Sequence, residues 1–580
     1  MDINAAKVVL ANLRERIEPG ADGRHRLEGI ITKRELEAFD FLLGNAPGSV
    51  SISPALSPEI ENPAHPIVVP PRVEPVPESS FEPIPFEEVT VDLSTLDLPE
   101  SDTSYRVCLD FGTAMSKATF VHDNDVADFE EIHVLRLGIP GDQEEVNEVM
   151  LLSSIFVDPE GRIWFGHHAV EQEHASSEGG GMRLDNIKRW LSEGNLSTPV
   201  DAIYNPTTYE ITYEDLVLAY LTFFTWTVNR ALAEDVPEKD VRRNFYRRFA
   251  MPCFPRANAK QVEQKLNTLL GEAQILADTF WDDIHNGLPL GRFLSAVEQL
   301  RAGRHGYPFI GGSITEPLGV AGSMLSWRTD ADSLALVVDI GAGTSDFSLY
   351  RLHVTVDDEG EVVKAKTAAF EVDSSAKGIT EAGNHLDNIL KALILNRVGI
   401  TPAHPKFNNI SYRIERNIRT HKEDLFNTGS VFVVLDTGET VDIKLDEFLN
   451  HDAVKAFENS LRQTMIEILE SVNPDFIDWV RMDAKRRLTI VLTGGGATLP
   501  MARKLASGDV MINGSSITVA EAQAFPTWLK QDYPDLESPY PRIAVSLGGA
   551  RKNVILPKGV ARSTGTGIVH TLERFQTKGI

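Results

Sequence analysis

The sequence predicts an α/β fold built from two related halves that close on a phosphate-bearing ligand. Three observations carry this. Val107-Cys108-Leu109 runs into Asp110-Phe111-Gly112-Thr113, and Leu334-Ala335-Leu336-Val337-Val338 runs into Asp339-Ile340-Gly341-Ala342-Gly343-Thr344-Ser345-Asp346. Both are apolar strands that end in Asp and then Gly, with Thr close behind. A third apolar run, Leu488-Thr489-Ile490-Val491-Leu492, ends in Thr493-Gly494-Gly495-Gly496. Glycine lets a strand turn back sharply, so that successive backbone N–H groups point at one anion. A strand-end Asp can hold a hydrated divalent cation, and a Thr hydroxyl can touch phosphate. One Asp-x-Gly-Thr alone is an ordinary hairpin. Three such segments in one order are much harder to obtain by chance.

Residues 1–45 read as a small helical module. Ala6, Val9, Leu10, Leu13 and Ile17 share a helical face, and Pro19-Gly20 stops it. A second helix is expected from Thr32, where Glu35 completes a capping box and Leu36, Phe39 and Leu43 line one face. Two such helices bury little surface alone, so the module is expected to dock on the rest of the chain, on another copy or on a protein partner. Residues 46–103 then form a proline-rich acidic linker. Pro70-Pro71, Val73-Glu74-Pro75-Val76-Pro77 and Glu82-Pro83-Ile84-Pro85 alternate rings with charge, a composition that stays extended and builds no core.

At 580 residues the chain is long enough for several cores. Its 42% hydrophobic and 24% charged residues are ordinary globular values. A net charge of −28 argues against a general nucleic-acid binder. The basic clusters Arg242-Arg243…Arg247-Arg248 and Lys485-Arg486-Arg487 read as solvated strand flanks. Cys108 and Cys253 are lone thiols suited to a reducing compartment. No leader opens the sequence, and the most apolar run, Leu216 to Val228, is interrupted by Thr and reads as too short to span a bilayer. A cytoplasmic protein without membrane contact is expected. The histidines show no ligand spacing, and His167-His168 reads as a turn.

In this order the three Gly-containing segments resemble the phosphate-one, phosphate-two and adenosine loops of the actin, hexokinase and DnaK-type heat-shock chaperone superfamily. Further segments are similar to the chaperone branch. Asp185-Asn186-Ile187-Lys188-Arg189-Trp190-Leu191 resembles its Asp-Ala-Lys-Arg-Leu segment, and Thr315-Glu316-Pro317-Leu318-Gly319-Val320-Ala321 its Asn-Glu-Pro-Thr-Ala-Ala-Ala segment. Arg248-Phe249-Ala250-Met251-Pro252 resembles its Val-Thr-Val-Pro strand, and Ala382-Gly383-Asn384-His385-Leu386-Asp387-Asn388 its Gly-Gly-Glu-Asp-Phe-Asp-Asn helix start. The likeness spans roughly residues 104 to 555 in islands. It implies an actin-like ATPase fold with two duplicated ribonuclease-H-like lobes, lobe I at 104–330 and lobe II at 331–540. A final helix and tail, 541–580, would return to lobe I.

The resemblance also implies roles for individual residues. Asp110 and Asp339 would orient waters of a magnesium ion, with Glu316 completing the outer shell. Lys188 would lie by the γ-phosphate of ATP and the attacking water, and Asp346 would act on that water or on a monovalent cation such as potassium. Gly112, Thr113, Ala114 and Met115, with Gly341, Ala342, Gly343 and Thr344, would hold the phosphates. Gly383, Gly494, Gly495 and Gly496 would border the nucleoside, and Lys422 or Arg419, from a helix over Arg416 to Leu425, would contact the base. The chain departs from the family at Ala114-Met115, at Ala342, and at Gly496-Ala497-Thr498, which lacks the family's adenine-stacking arginine. Arg542-Ile543-Ala544-Val545-Ser546-Leu547-Gly548-Gly549-Ala550 resembles the last ATPase helix, with Arg542 in place of an acid. About thirty residues follow it, too few for the family's peptide-binding β-sandwich and lid.

The expected activity is therefore slow ATP hydrolysis to ADP and phosphate by a chaperone-like switch. Closure of its lobes would be read by a protein partner, through the amino-terminal helices or a lobe surface. Two alternatives remain open: an actin-like filament or nucleotide-sensing scaffold with little hydrolysis, and a small-molecule kinase.

Overall fold

The computed structural model describes residues 88–124, 129–138, 148–176, 181–192, 196–235, 245–253, 256–435 and 438–559, together with the short strands Ile17–Pro19, His25–Leu27, Ala561–Ser563 and Ile568–His570. The chain divides into two units, Met1–Ser79 and Ser80–Ile580. In the first, Ile17–Pro19 pairs antiparallel with His25–Leu27. Ile17 thus lies in a strand and not on the expected helical face. Gly20 and Asp22-Gly23, which follow the first strand in sequence, are residue types common in turns. The other positions of the amino-terminal module, and the linker up to residue 87, lie outside the described residues.

The second unit is mixed α/β, with 14 α-helices and several mixed sheets among the described residues. Its first half is organised by β1 (Tyr105–Asp110), β2 (Met115–Asn124), β3 (Phe129–Val134), β4 (Tyr246–Met251) and β5 (Ile310–Thr315). They lie in the order β5-β4-β1-β2-β3. β1, β4 and β5 are parallel, and β2 runs antiparallel to both β1 and β3. The second half uses β6 (Ala331–Ile340), β7 (Ser345–Val354), β8 (Ala368–Val372), β9 (Leu488–Thr493) and β10 (Ser515–Glu521). Their order, β10-β9-β6-β7-β8, and their directions match those of the first five strands. Asp110 and Asp339 therefore occupy corresponding places, at the ends of β1 and β6 where each strand turns into its hairpin partner.

Seven helices carry or support the residues around these strand ends: α1 (Gly166–Ala175), α2 (Tyr213–Asp235), α3 (Arg256–Thr279), α4 (Glu316–Met324), α5 (Gly383–Arg397), α6 (Phe407–Thr428) and α7 (Tyr540–Ala550). One core unites Val107, Leu109 and Phe120 with Leu216, Tyr220 and Leu269 of α2 and α3. A second unites Leu336, Val338 and Ile490 with Leu390 and Ile414 of α5 and α6. β1 and β6 are buried on both faces, and their opposite faces meet in a third core. There Cys108, Val121, Ala335 and Val337 contact Leu318 and Ala321 of α4 and Ala544 and Leu547 of α7. Only small residues allow this crossing: a Cβ on Gly548 would lie 1.7 Å from the Gly319 carbonyl oxygen. The helices α4 and α7 thus join the two halves through direct backbone contact.

Three local expectations are corrected. The apolar run Leu216–Val228 belongs to α2, a 23-residue helix. Its length and composition would allow a membrane crossing, but 83% of its apolar window is buried inside the unit. His167-His168 lies in α1 and not in a turn. The last part of the expected linker is docked. Asp92 N–H donates to Thr279 Oγ1 at 3.0 Å, Thr95 Oγ1 donates to Asp278 Oδ2 at 2.5 Å, and Val89 is buried. After α7, Leu556–Gly559 runs parallel to β8 and so joins the second-half sheet.

Candidate active site

The β1–β2 hairpin turns through Gly112, where a Cβ would lie 1.9 Å from the Met115 carbonyl oxygen. Ala114 and Met115 serve this turn through their backbones, and the Ala114 carbonyl accepts the Ser153 N–H at 2.9 Å. The β6–β7 hairpin is closed by Gly341 N–H donating to the Thr344 carbonyl at 2.9 Å. Ala342 lies outside the positive-φ region, so its methyl group introduces no strain. The two hairpins face each other closely: a Cβ on Gly343 would lie 2.8 Å from Thr113 Oγ1. The first half thus meets the second through the two loops that the sequence singles out.

Beneath the loops sits a buried charged cluster. Asp110, Asp339, Asp346 and Lys188 are all nearly inaccessible. Lys188 is aimed inward by Asn186, whose φ of 59° turns the chain from Leu184–Asp185 into Arg189–Ser192. Its Nζ lies 2.5 Å from Oε1 of Glu316, the first residue of α4. Burial pulls the Lys188 pKa down, but the carboxylates of Glu316, Asp110 and Asp346 outweigh it and raise the pKa. Asp346 accepts from Thr344 Oγ1 at 2.7 Å and, across the halves, from the Cys253 N–H at 2.7 Å. Burial and the Glu316 carboxylate push Asp346 up to about 7. Burial, followed by Glu316, Asp346 and Asp110, holds Asp339 well above the usual carboxylate range.

Sequence reasoning missed one member of this cluster. Lys117 Nζ stands 3.3 Å from Asp110 Oδ2, because the hairpin register places Lys117 directly opposite Asp110. Four carboxylates thus share two ammonium groups, an acidic excess that a divalent cation could balance. No trio of His, Cys, Asp or Glu among the described residues is close enough to ligate a metal directly. A cation held here would therefore keep its own waters, a mode that suits magnesium.

The residues expected around the nucleoside are only partly drawn together. Gly494, with φ 79°, lies against Asp339, and Gly496 N–H donates to the Ile340 carbonyl at 2.9 Å. Gly495 is open, with Arg542 Nη1 4.0 Å from where its Cβ would be. At the start of α5, Gly383 N–H donates to Gly341 O at 3.0 Å and Asn384 N–H to Ala342 O at 2.7 Å. These two amides anchor the helix to the second loop instead of facing an open site. Lys422 is drawn to the same place, 3.1 Å from Gly383 O and 2.8 Å from Asp387 Oδ1. Arg419 is half-buried on α6. No family model matches the chain, and no curated protein matches it significantly.

Proposed function

We propose that this protein binds ATP with magnesium in an actin-like, two-lobed cleft and hydrolyses it slowly, as a switch that a protein partner reads. One observation carries the reading: two corresponding strand–Asp–Gly hairpins face each other over a largely buried cluster of four carboxylates and two lysines. Phosphoryl transfer to water asks mainly for positioning and charge neutralisation. Backbone N–H groups of the 112–115 hairpin and of residues 342–344 would hold phosphate oxygens, and Lys117 and Lys188 would bring positive charge to them. Waters bound to Asp110, Asp339 and Glu316 would carry the magnesium ion, which neutralises developing phosphate charge when bound. Asp346, held by Thr344 and Cys253, would orient the attacking water or accept its proton.

The matched order of five strands in each of the two large sheets supports the duplicated-lobe part of the reading. The buried contact of α4 with α7 supports a hinge between the lobes. The test is ATP binding and phosphate release by the full-length protein with magnesium and potassium, beside Lys188→Ala. Turnover well below roughly 1–100 s⁻¹, the range typical of kinases, is expected for the wild type, with near loss in the variant. Failure of the wild type to bind ATP would overturn the proposal. Binding without phosphate release by either protein would leave a nucleotide-sensing scaffold.

A further inference from the structure

Lys117 lies on β2, close to the hairpin turn that the strand helps to build. Antiparallel pairing sets it opposite Asp110, and its Nζ stands 3.3 Å from Asp110 Oδ2. The same ammonium group lies 3.5 Å from the point where a Gly112 Cβ would stand, a point that the Met115 carbonyl oxygen approaches to 1.9 Å. The strand behind it is pinned. Ser116, whose side chain takes the opposite face, shares a hydrogen bond of 3.1 Å with Ser153 Oγ and accepts from the Tyr220 hydroxyl at 3.0 Å. The Lys117 side chain is 18% exposed, against 5% for Lys188. It is therefore the ammonium group of this cluster that solvent ions can reach.

The two ammonium groups divide the four carboxylates between them. Lys188 bonds Glu316 and is drawn also to Asp110 and Asp346. Lys117 pairs with Asp110 and acts across the halves on Asp339: burial, then Glu316, Asp346 and Asp110, raise the Asp339 pKa, and Lys117 opposes them. Each carboxylate thus has a fixed positive neighbour. From the family resemblance a monovalent cation such as potassium is expected to act with Asp346, and the residues present do not fit it. Asp346 Oδ1 accepts from the Cys253 N–H and Oδ2 from Thr344 Oγ1, both at 2.7 Å, so each oxygen already has a donor. The other place where oxygens converge, beside Asp110 and the Met115 carbonyl, holds the Lys117 ammonium. A lysine ammonium is a compact point charge, with the sign and nearly the size of a potassium ion. The tether makes the difference: a potassium ion exchanges with solvent, and Lys117 is bound to the chain.

We propose that the Lys117 ammonium takes the place of a monovalent cation in this site, so that nucleotide binding here is independent of potassium. The inference rests on the proposed nucleotide reading of the cleft. Its test is titration calorimetry of the full-length protein with Mg·ATP in equal concentrations of potassium, ammonium, lithium or choline chloride. The wild type is expected to bind with a Kd that varies by less than about threefold among these salts. Lys117→Ala opens the space and is expected to bind at least about tenfold more weakly than the wild type in choline chloride. Potassium or ammonium should restore most of that loss, and the smaller lithium ion little of it. Lys117→Met fills the same space without charge and should stay weak in every salt. A larger gain of wild-type affinity in potassium over choline overturns the proposal, and so does a Lys117→Ala protein whose affinity is the same in every salt. The wild-type comparison needs no variant and stands if Lys117→Ala does not fold. Absence of ATP binding by the wild type in every salt overturns the underlying nucleotide reading instead.

Discussion

Buried Lys188 and half-buried Glu316 meet as an ion pair, Nζ 2.5 Å from Oε1, although 128 residues separate them. Each has one wall behind it: the turn at Asn186 aims the lysine, and the first turn of α4 fixes the carboxylate. Removing one partner leaves the other as an uncompensated buried charge. Lys188→Met should therefore lose about 2–4 kcal/mol of stability in urea unfolding. The double variant Lys188→Met, Glu316→Gln should recover most of that loss. ATP turnover should return in neither, because the lysine has a task beyond its pairing. Recovery of turnover together with stability would reduce Lys188 to a structural residue.

Lys117 separates binding from chemistry. It reaches Asp110 from the strand opposite, and its Nζ is 3.5 Å from where a Gly112 Cβ would lie. An ammonium group beside a phosphate-binding turn contributes to ligand charge more than to folding. Lys117→Met is expected to weaken ATP binding by about tenfold or more, corresponding to the loss of a charge-assisted contact, with a smaller loss of stability than Lys188→Met because Asp110 keeps the charge of Lys188 nearby. Isothermal titration with Mg·ATP measures this, and an unchanged Kd would remove Lys117 from the site.

The raised Asp346 pKa gives a pH signature with a defined sign. In the unfolded chain an Asp titrates near 3.9, whereas in the folded protein Asp346 titrates at about 7. Between these values the folded state holds a proton that the unfolded chain has already lost. Asp346 alone should therefore lower the stability of the ligand-free protein as pH rises through this window, by at most about 1.4 kcal/mol per unit, and its contribution should level off above it. Asp339 shifts in the same direction. Urea unfolding at a series of pH values should show the decline, and Asp346→Asn should make it shallower, with Asp339 carrying what remains. An equal slope in that variant would exclude Asp346 as the titrating group.

What the sequence shows of this site is what lies close together along the chain. Asp110 with Gly112 and Asp339 with Gly341 are legible because strand, turn and hydroxyl follow one another within a few residues. Lys117 is seven residues beyond Asp110, and only the antiparallel register brings it back. The Tyr412 hydroxyl donates to the Glu173 carboxylate across 239 residues, and neither residue stands in a recognisable pattern. The docking of residues 88–98 on α3 is hidden for a different reason. Its proline-rich approach resembles a spacer in composition, while Val89 and Thr95 are the only buried side chains in that stretch. At α5 the sequence indicates a glycine at a helix start, but only the fold shows its amide taken up by Gly341.

The glycines of the loops provide the last test, because they differ in what a methyl group would meet. On Gly494 it would lie 2.3 Å from Asp339 Oδ1, in a backbone of φ 79° that side chains avoid. It would also lie 2.6 Å from the Ile340 carbonyl oxygen, and on Gly112 it would strike the Met115 carbonyl oxygen, so in both cases it meets backbone that cannot rotate away. On Gly495 the first atom reached is Arg542 Nη1 at 4.0 Å, an ordinary contact. Gly494→Ala and Gly112→Ala should each lose about 1–3 kcal/mol and most of their affinity for ATP. Gly495→Ala should stay within about 0.5 kcal/mol of the wild type and still bind. Thermal unfolding with and without Mg·ATP distinguishes the two classes. If Gly494→Ala were as stable as Gly495→Ala and gained as much from the nucleotide, the third loop would not be holding Asp339 in place.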